Sequence, residues 1–268
     1  MTDYICLSEN TGNIIPQPFF MKKTLYSLWL MPLLLLAACA GEQNTVNQLS
    51  EQEKAEGWQL LFDGKTMKGW HLYNKGQTPS AWRVQNGELY CQREMFDVEH
   101  GDLVSDREYE NFDFMFEWRI EAQGNSGVFF NVQERSDIPA AWASGPEYQL
   151  LEKTHADYAA NPKKRPGCLY NFATVKNEVE PKPTGEWNQG RIKQVDGKVE
   201  FYLNGVLTAE QDLTTSEWQE MVANSNFKSF PEFGKHRKGR LGLQDWAKGV
   251  AFRNLKLRET GASTSEMK

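Results

Sequence analysis

The stretch Phe112-Asp113-Phe114-Met115-Phe116-Glu117-Trp118-Arg119-Ile120 decides the fold. Phe112, Phe114, Phe116, Trp118 and Ile120 fall on one face, and Asp113, Met115, Glu117 and Arg119 on the other. A period of two marks a half-buried strand, and a single wetted face belongs to an antiparallel sheet. On either side the chain repeats this pattern as short apolar runs between tight-turn pairs. Asn86-Gly87 joins residues 82–84 to 89–91, and Asp196-Gly197 joins 191–195 to 198–203. Such pairs accept the positive φ that a two-residue hairpin turn requires. Asn204-Gly205 opens another turn before a strand from Leu207. Residues 58–62, 128–133, 147–151, 241–244 and 250–257 read as further strands. Only residues 215–223 look helical, with Ser216 as N-cap and Glu217 and Glu220 in the first turn. The expectation is an all-β, two-sheet antiparallel jelly-roll sandwich with one short helix. It forms one domain over residues 57–258, followed by a polar, flexible tail at 259–268.

Composition supports a folded chain. Of 268 residues, 40% are hydrophobic and 12% aromatic, which excludes disordered, collagenous and coiled-coil classes. The net charge of -6, with no Lys/Arg-dense block, lacks the footprint of a nucleic-acid binder. Met21-Lys22-Lys23 begins a positive segment, residues 25–38 are mostly apolar, and Leu36-Ala37-Ala38-Cys39 closes it. This reads as a secretory signal with Met21 as the true start, after a doubtful leader. Its ending resembles a bacterial lipoprotein box, which implies lipidation at Cys39, loss of residues 1–38 and a lipid anchor in the bacterial cell envelope. Residues 39–56 are polar and read as a tether.

Cys91 and Cys168 are left as either free thiols or a bridge, and the absence of C-x-x-C argues against structural zinc. Gly64-Lys65-Thr66 is no phosphate loop, because Gln59 stands where the first Gly is required. No H-E-x-x-H surrounds His71, His100, His155 or His236. No G-x-S-x-G elbow and no E-x-D-x-E glucanase strand occur either. Asp97, Glu99 and Asp102 read as a solvated loop rather than a calcium site. Two polar groups remain. Gly124-Asn125-Ser126-Gly127 places small polar side chains at the mouth of a strand. Glu147 and Gln149 lie two apart on one strand face, opposite Tyr148 and Leu150. An acid beside an amide suits a sugar, whose hydroxyls need both donors and acceptors.

Seven motifs in register carry a family likeness. They are Gly124–Phe130, Glu147-Tyr148-Gln149 with Glu152, Leu169-Tyr170, Gly185-Glu186-Trp187-Asn188, Leu203-Asn204-Gly205, Leu243-Gln244-Asp245 and Phe252-Arg253-Asn254. Together they resemble the bacterial 3-keto-disaccharide hydrolases, also called 3-keto-glucoside lyase/hydratases, over residues 57–258. The resemblance implies a concanavalin-like jelly roll and cleavage of oxidised glycosides. A separate upstream glycoside 3-oxidoreductase would convert the sugar's C3 hydroxyl to a ketone, which acidifies the C2 proton. A base then removes that proton, the enolate expels the C1 substituent, and water adds.

By position, Glu147 is the candidate base, with a purely structural carboxylate as the alternative. His155 is a candidate acid or metal ligand, with a merely exposed loop histidine as the alternative, and Tyr170 is either a packing residue or a donor to the enolate or the leaving oxygen. Substrate contacts are expected from Asn125, Ser126, Asn131, Trp142, Gln149, Gln244, Asp245 and Trp246. A divalent metal polarising the ketone is chemically attractive, with His155 as a candidate ligand, and no cofactor is assigned. Two departures stand out. The chain reads Gln244-Asp245-Trp246-Ala247 where many relatives have Gln-Asp-His-Gly, and Asn131 where many have Arg. Trp246 would stack on a sugar face. Trp118 reads as core, Trp187 as structural and Trp142 as a rim contact. The rival readings are a carbohydrate-binding sandwich without catalysis and a conventional glycosidase pairing Glu147 with Glu152.

Overall fold

The computed structural model describes residues 46–261. Cys39, the signal segment, the first part of the expected tether and residues 262–268 lie outside them. In chain order the first strands are β1 (Gln59–Leu60), β2 (Trp70–Leu72), β3 (Trp82–Gln85), β4 (Glu88–Cys91) and β5 (Leu103–Tyr109). There follow β6 (Phe112–Ile120), β7 (Asn125–Val132), β8 (Glu147–Leu151) and β9 (Asn188–Val195). The last four are β10 (Lys198–Leu203), β11 (Val206–Asp212), β12 (Gly239–Leu243) and β13 (Val250–Glu259). One sheet runs β11-β10-β9-β6-β13-β4-β3, with β1 also on β13, and the other runs β2-β5-β12-β7-β8. All pairings between named strands are antiparallel. The two-sheet sandwich expected from the alternation is therefore the fold found.

Turn chemistry explains the hairpins. Asn86, Asp196 and Asn204 each adopt φ near +50°, and the glycine after each is also positive, the geometry that suits a twisted hairpin. The apolar face of β6 is wholly buried and packs into the space between the sheets. Phe116 meets Tyr148 of the opposite sheet edge-on at 5.4 Å, so the core joins both layers. On the other face of β6, Asp113 is buried as well, because Arg191 grips it with two 2.6 Å hydrogen bonds and Arg258 adds a third at 3.2 Å. Trp118 is core, as expected. Trp187 lies under Arg253, 4.1 Å from its ring centre.

Three expectations need correction. The end of the tether is not loose, because residues 51–55 form α1 (Glu51–Ala55). Ser50 and Glu53 close a capping box, and Glu53 also accepts from the buried Lys256 ammonium at 2.7 and 2.9 Å. Just before it, Asn47 exchanges hydrogen bonds with Asn254 at a bulge of β13. Secondly, β2 and β5 were not foreseen; β5 buries its first residues on both faces and exposes Asp106, Arg107 and Glu108, so no alternation appears. Thirdly, besides α1 there are α2 (Ala156–Ala160) and the expected helix α3 (Ser216–Ala223), whose N-cap is Thr215, not Ser216. Thr215 Oγ1 accepts from Trp218 N at 3.2 Å. Thr215→Ala should therefore cost about 1 kcal/mol, read as a lower Tm, whereas Ser216→Ala should stay within about 0.5 kcal/mol. Cys91 and Cys168 are both buried free thiols, which resolves that alternative.

Candidate active site

Strand register carries Glu147 and Gln149 to the outside of the smaller sheet. Tyr148 between them turns inward and donates its hydroxyl to Tyr202 O at 2.9 Å. On one side β8 pairs with β7, so that Gly127 lies opposite Gln149 and Phe129 opposite Glu147. On the other side residues 167–170 run along the edge. Gln149 N donates to Cys168 O at 3.2 Å, and Tyr170 N donates to Glu147 O at 3.0 Å. That backbone clamp sets Tyr170 beside Glu147. Gly127 leaves the space the acid occupies, since a Cβ there would come within 2.1 Å of Glu147 Oε1.

These side chains open into a cavity of about 400 Å³. The sheet contributes Asn125, Glu147 and Gln149; the connecting segments contribute Trp142, Tyr170, Phe227, Phe230 and Gln244, which directly follows β12. Trp142 and Phe230 pack edge to face at 4.7 Å. Trp246 also lines the cavity and is 59% exposed, which places it at the mouth. Gln149 spends its amide N–H groups on Asn125 Oδ1 and nearby backbone carbonyls. Its own carbonyl oxygen and the Asn125 amide nitrogen have no protein partner among the described residues. One acceptor and one donor thus face the space a sugar hydroxyl would fill.

Glu147 is only 7% exposed, and no donor reaches its carboxylate among the described residues. Burial raises its pKa well above the ordinary carboxylate range, the nearby charge of Asp102 adds to this, and Lys164 opposes it. Burial, reinforced by the charge of Asp245, also pushes Asp102 up to about 7. Burial and the Glu147 charge raise Tyr170, so its phenol stays a proton donor at neutral pH. Lys164 Nζ donates to Asp157 Oδ2 at 2.9 Å and lies 5.8 Å from the Tyr170 ring centre. That hydrogen bond raises the lysine's pKa.

Of the residues expected at the site, the cavity collects Glu147, Tyr170, Asn125, Trp142, Gln149, Gln244 and Trp246. Four others serve elsewhere. Ser126 is fully buried and donates to Gln244 O at 2.8 Å. Asn131 faces the other sheet and donates to Gln194 Oε1 at 2.7 Å. Asp245 accepts from Gly101 N and meets His100 Nδ1 at 3.0 Å, which fixes the turn that presents Gln244 and Trp246. His155 caps α2, its Nδ1 accepting from Asp157 N at 3.1 Å, and it does not line the cavity.

Glu152 is no partner for Glu147. Its carboxylate is held by Gln123 N, the Thr154 backbone and hydroxyl, and the Thr184 hydroxyl, and these bonds lower its pKa to about 2 despite burial. It lines a different pocket. Asp102 is likewise buried rather than part of a solvated loop. Among the described residues no three His, Cys, Asp or Glu side chains converge on one position, and no metal ligand is assigned. Asp157, Lys164, Phe227 and Phe230 were not foreseen. They come from loops and short turns, where no periodic signal marks a direction.

The site is thus a buried acid on the outer face of a jelly-roll sheet, flanked by amides and aromatic rings. The family model for 3-keto-alpha-glucoside-1,2-lyase-like domains matches residues 57–258, and the chain belongs to that family. It is similar to the 3-keto-disaccharide hydrolase of Bacteroides thetaiotaomicron, with 29% identity over 229 residues, 76% of this chain and 79% of the relative. A Parabacteroides distasonis crystal structure assigned as a glycosyl hydrolase is 31% identical, with a TM-score of 0.74, over 81% of this chain and 100% of that one. A second structure from that organism has 22% identity and a TM-score of 0.58, over 76% and 99% of the two chains, and supports the fold alone. These matches place the chain among glycoside-acting enzymes rather than binding modules.

Proposed function

We propose that the protein cleaves 3-keto-glycosides by eliminating the C1 substituent and hydrating the product. The observation that carries this reading is the Glu147 carboxylate, which is buried and raised in proton affinity, while the other carboxylate lining the cavity, Asp157, is held by the Lys164 ammonium at 2.9 Å. That is the equipment of a proton-abstracting base. A retaining or inverting hydrolysis would need two carboxyl groups in defined separation across the sugar.

The sugar would lie against Asn125, Gln149 and Gln244, with its C2 hydrogen toward Glu147. Proton transfer from C2 to the carboxylate forms the C2–C3 double bond and puts the electron pair on the C3 oxygen. Re-formation of the C3 carbonyl then expels the C1 substituent and leaves a C1–C2 double bond. Tyr170 supplies a proton to the departing oxygen. Water then adds its oxygen to C1 and gives a proton back to the Tyr170 phenolate, while Glu147, its proton exchangeable with solvent, returns one to C2, so both residues are restored and the sum is hydrolysis. Only a ketone at C3 makes the C2 proton acidic enough, so a separate oxidoreductase must act first.

The test is incubation in deuterated water of a 3-keto-glucoside and, separately, its unoxidised parent. The expected result is cleavage of the ketone alone, with deuterium at C2. Cleavage of the parent, or no reaction of the ketone, would overturn the proposal.

A further inference from the structure

We propose that Lys164 is the cation that stabilises the enolate oxygen, with Asp157 as its positioning residue. The assignment rests on the elimination chemistry above. Among the described residues, Lys164 is the only side chain lining the cavity that carries a positive charge. Its place is built rather than incidental. Residues 162–164 form a single 3-10 turn capped by Asn161, whose side chain accepts from Lys163 N at 3.0 Å. Asn171 N donates to Lys163 O at 3.0 Å, and the Cys168 thiol meets Pro162 O at 3.3 Å. Two neighbouring segments thus pin the backbone that carries the lysine. Asp157, on α2, then takes the ammonium at 2.9 Å, while the Lys164 side chain keeps 23% of its surface exposed.

The charge balance shows what this arrangement does. Proton abstraction neutralises Glu147 and creates a full negative charge on the sugar's C3 oxygen. A fixed cation speeds that step only if it attracts the new charge more strongly than it attracts the resting carboxylate. Lys164 makes no hydrogen bond to Glu147 and lowers its proton affinity only as a nearby charge, against the larger effect of burial. The hydrogen bond to Asp157 holds the ammonium off the base, a second ties it to the Tyr170 hydroxyl, and the third N–H is left for the enolate oxygen. Enolate stabilisation by Lys164 also leaves the Tyr170 hydroxyl to protonate the leaving oxygen, which divides two tasks between two donors. The site therefore has a base on the sheet, and a cation and an acid on the adjoining loops.

The experiment compares wild type, Lys164→Met, Lys164→Arg and Asp157→Asn on a 3-keto-glucoside. It measures kcat, KM and C2 deuterium exchange across pH. Methionine keeps the apolar stem and removes the charge. Lys164→Met should lose roughly 100- to 1,000-fold in kcat, the range for removing one oxyanion donor. Exchange should fall in parallel and KM should move less than about 3-fold. Lys164→Arg should recover part of the loss. Asp157→Asn should shift the acid limb of the rate profile to lower pH, because a freed ammonium approaches Glu147 and lowers its proton affinity. If wild type turns over the ketone but Lys164→Met keeps its kcat, or loses only in KM, the role of Lys164 is wrong and the elimination reading stands. If wild type neither cleaves nor exchanges, both fall.

Discussion

Glu147→Gln should remove turnover of a 3-keto-glycoside, with kcat falling by roughly 100- to 10,000-fold, the usual contribution of a positioned general base. Glutamine has nearly the same shape, so the loss reports on the missing base and not on a refilled cavity. The variant should also be more stable than wild type at about pH 8, which separates loss of function from loss of fold. Burial raises the pKa of Glu147 in the folded protein above its ordinary value of 4.5. Well below 4.5 the group is neutral in both states and contributes nothing. As pH rises through that value, the unfolded chain ionises first and gains free energy that the folded chain does not. Wild type should therefore lose stability from about pH 4.5 up to the elevated folded pKa, and Glu147→Gln should not. Wild-type kcat/KM should rise over the same raised pKa, since the base must be ionised to act. Equal Tm values for the two proteins at all pH values would show that the carboxylate is not held in the environment described.

Gly127→Ala should be nearly as damaging to activity as loss of the acid, while leaving the sandwich folded. Gly127 has ordinary strand geometry, so alanine meets no backbone strain. Its methyl group would instead lie 2.1 Å from Glu147 Oε1 and 2.6 Å from the carboxyl carbon. The contact is with one side chain, so the carboxylate moves and the strand stays. A displacement of about 1 Å at a reacting group costs on the order of 100-fold in rate. The two changes act through the same atoms, so Gly127→Ala should add little in the Glu147→Gln background. Full additivity in that double-mutant comparison would mean that the glycine matters for another reason.

Much of the sandwich was legible because its signals are local. The alternation of β6, the Asn-Gly and Asp-Gly pairs and the Glu147/Gln149 spacing each depend only on residues a few positions apart. The capping box at Ser50 and Glu53 was equally local and was hidden inside a segment read by composition alone. The site was legible only in part. Family likeness pointed to His155, Ser126 and Asp245, and Asn131 was expected at the site although it departs from the family, yet each is consumed by a structural hydrogen bond. Their partners, Gln194, Asp157 N, Gln244 O and Gly101 N with His100, come from registers, bulges and caps that no short pattern encodes. Phe227 and Phe230 are spaced as in any turn-rich loop, and only the packed loop shows them as a cavity wall.

The amino-acid order by itself determined that this chain makes antiparallel sheets, where the hairpins bend, and that an acid and an amide leave one strand on the same side. A two-residue period fixes a side chain's direction relative to its own backbone, so those facts need no partner. The tertiary structure alone decided what lies over that side: a cavity instead of solvent, Tyr170 clamped along the strand edge, and Lys164 delivered with Asp157 from α2 and the turn after it. These are contacts between segments joined by loops, and a loop's path is set by the hydrogen bonds it finds after the sheets have formed.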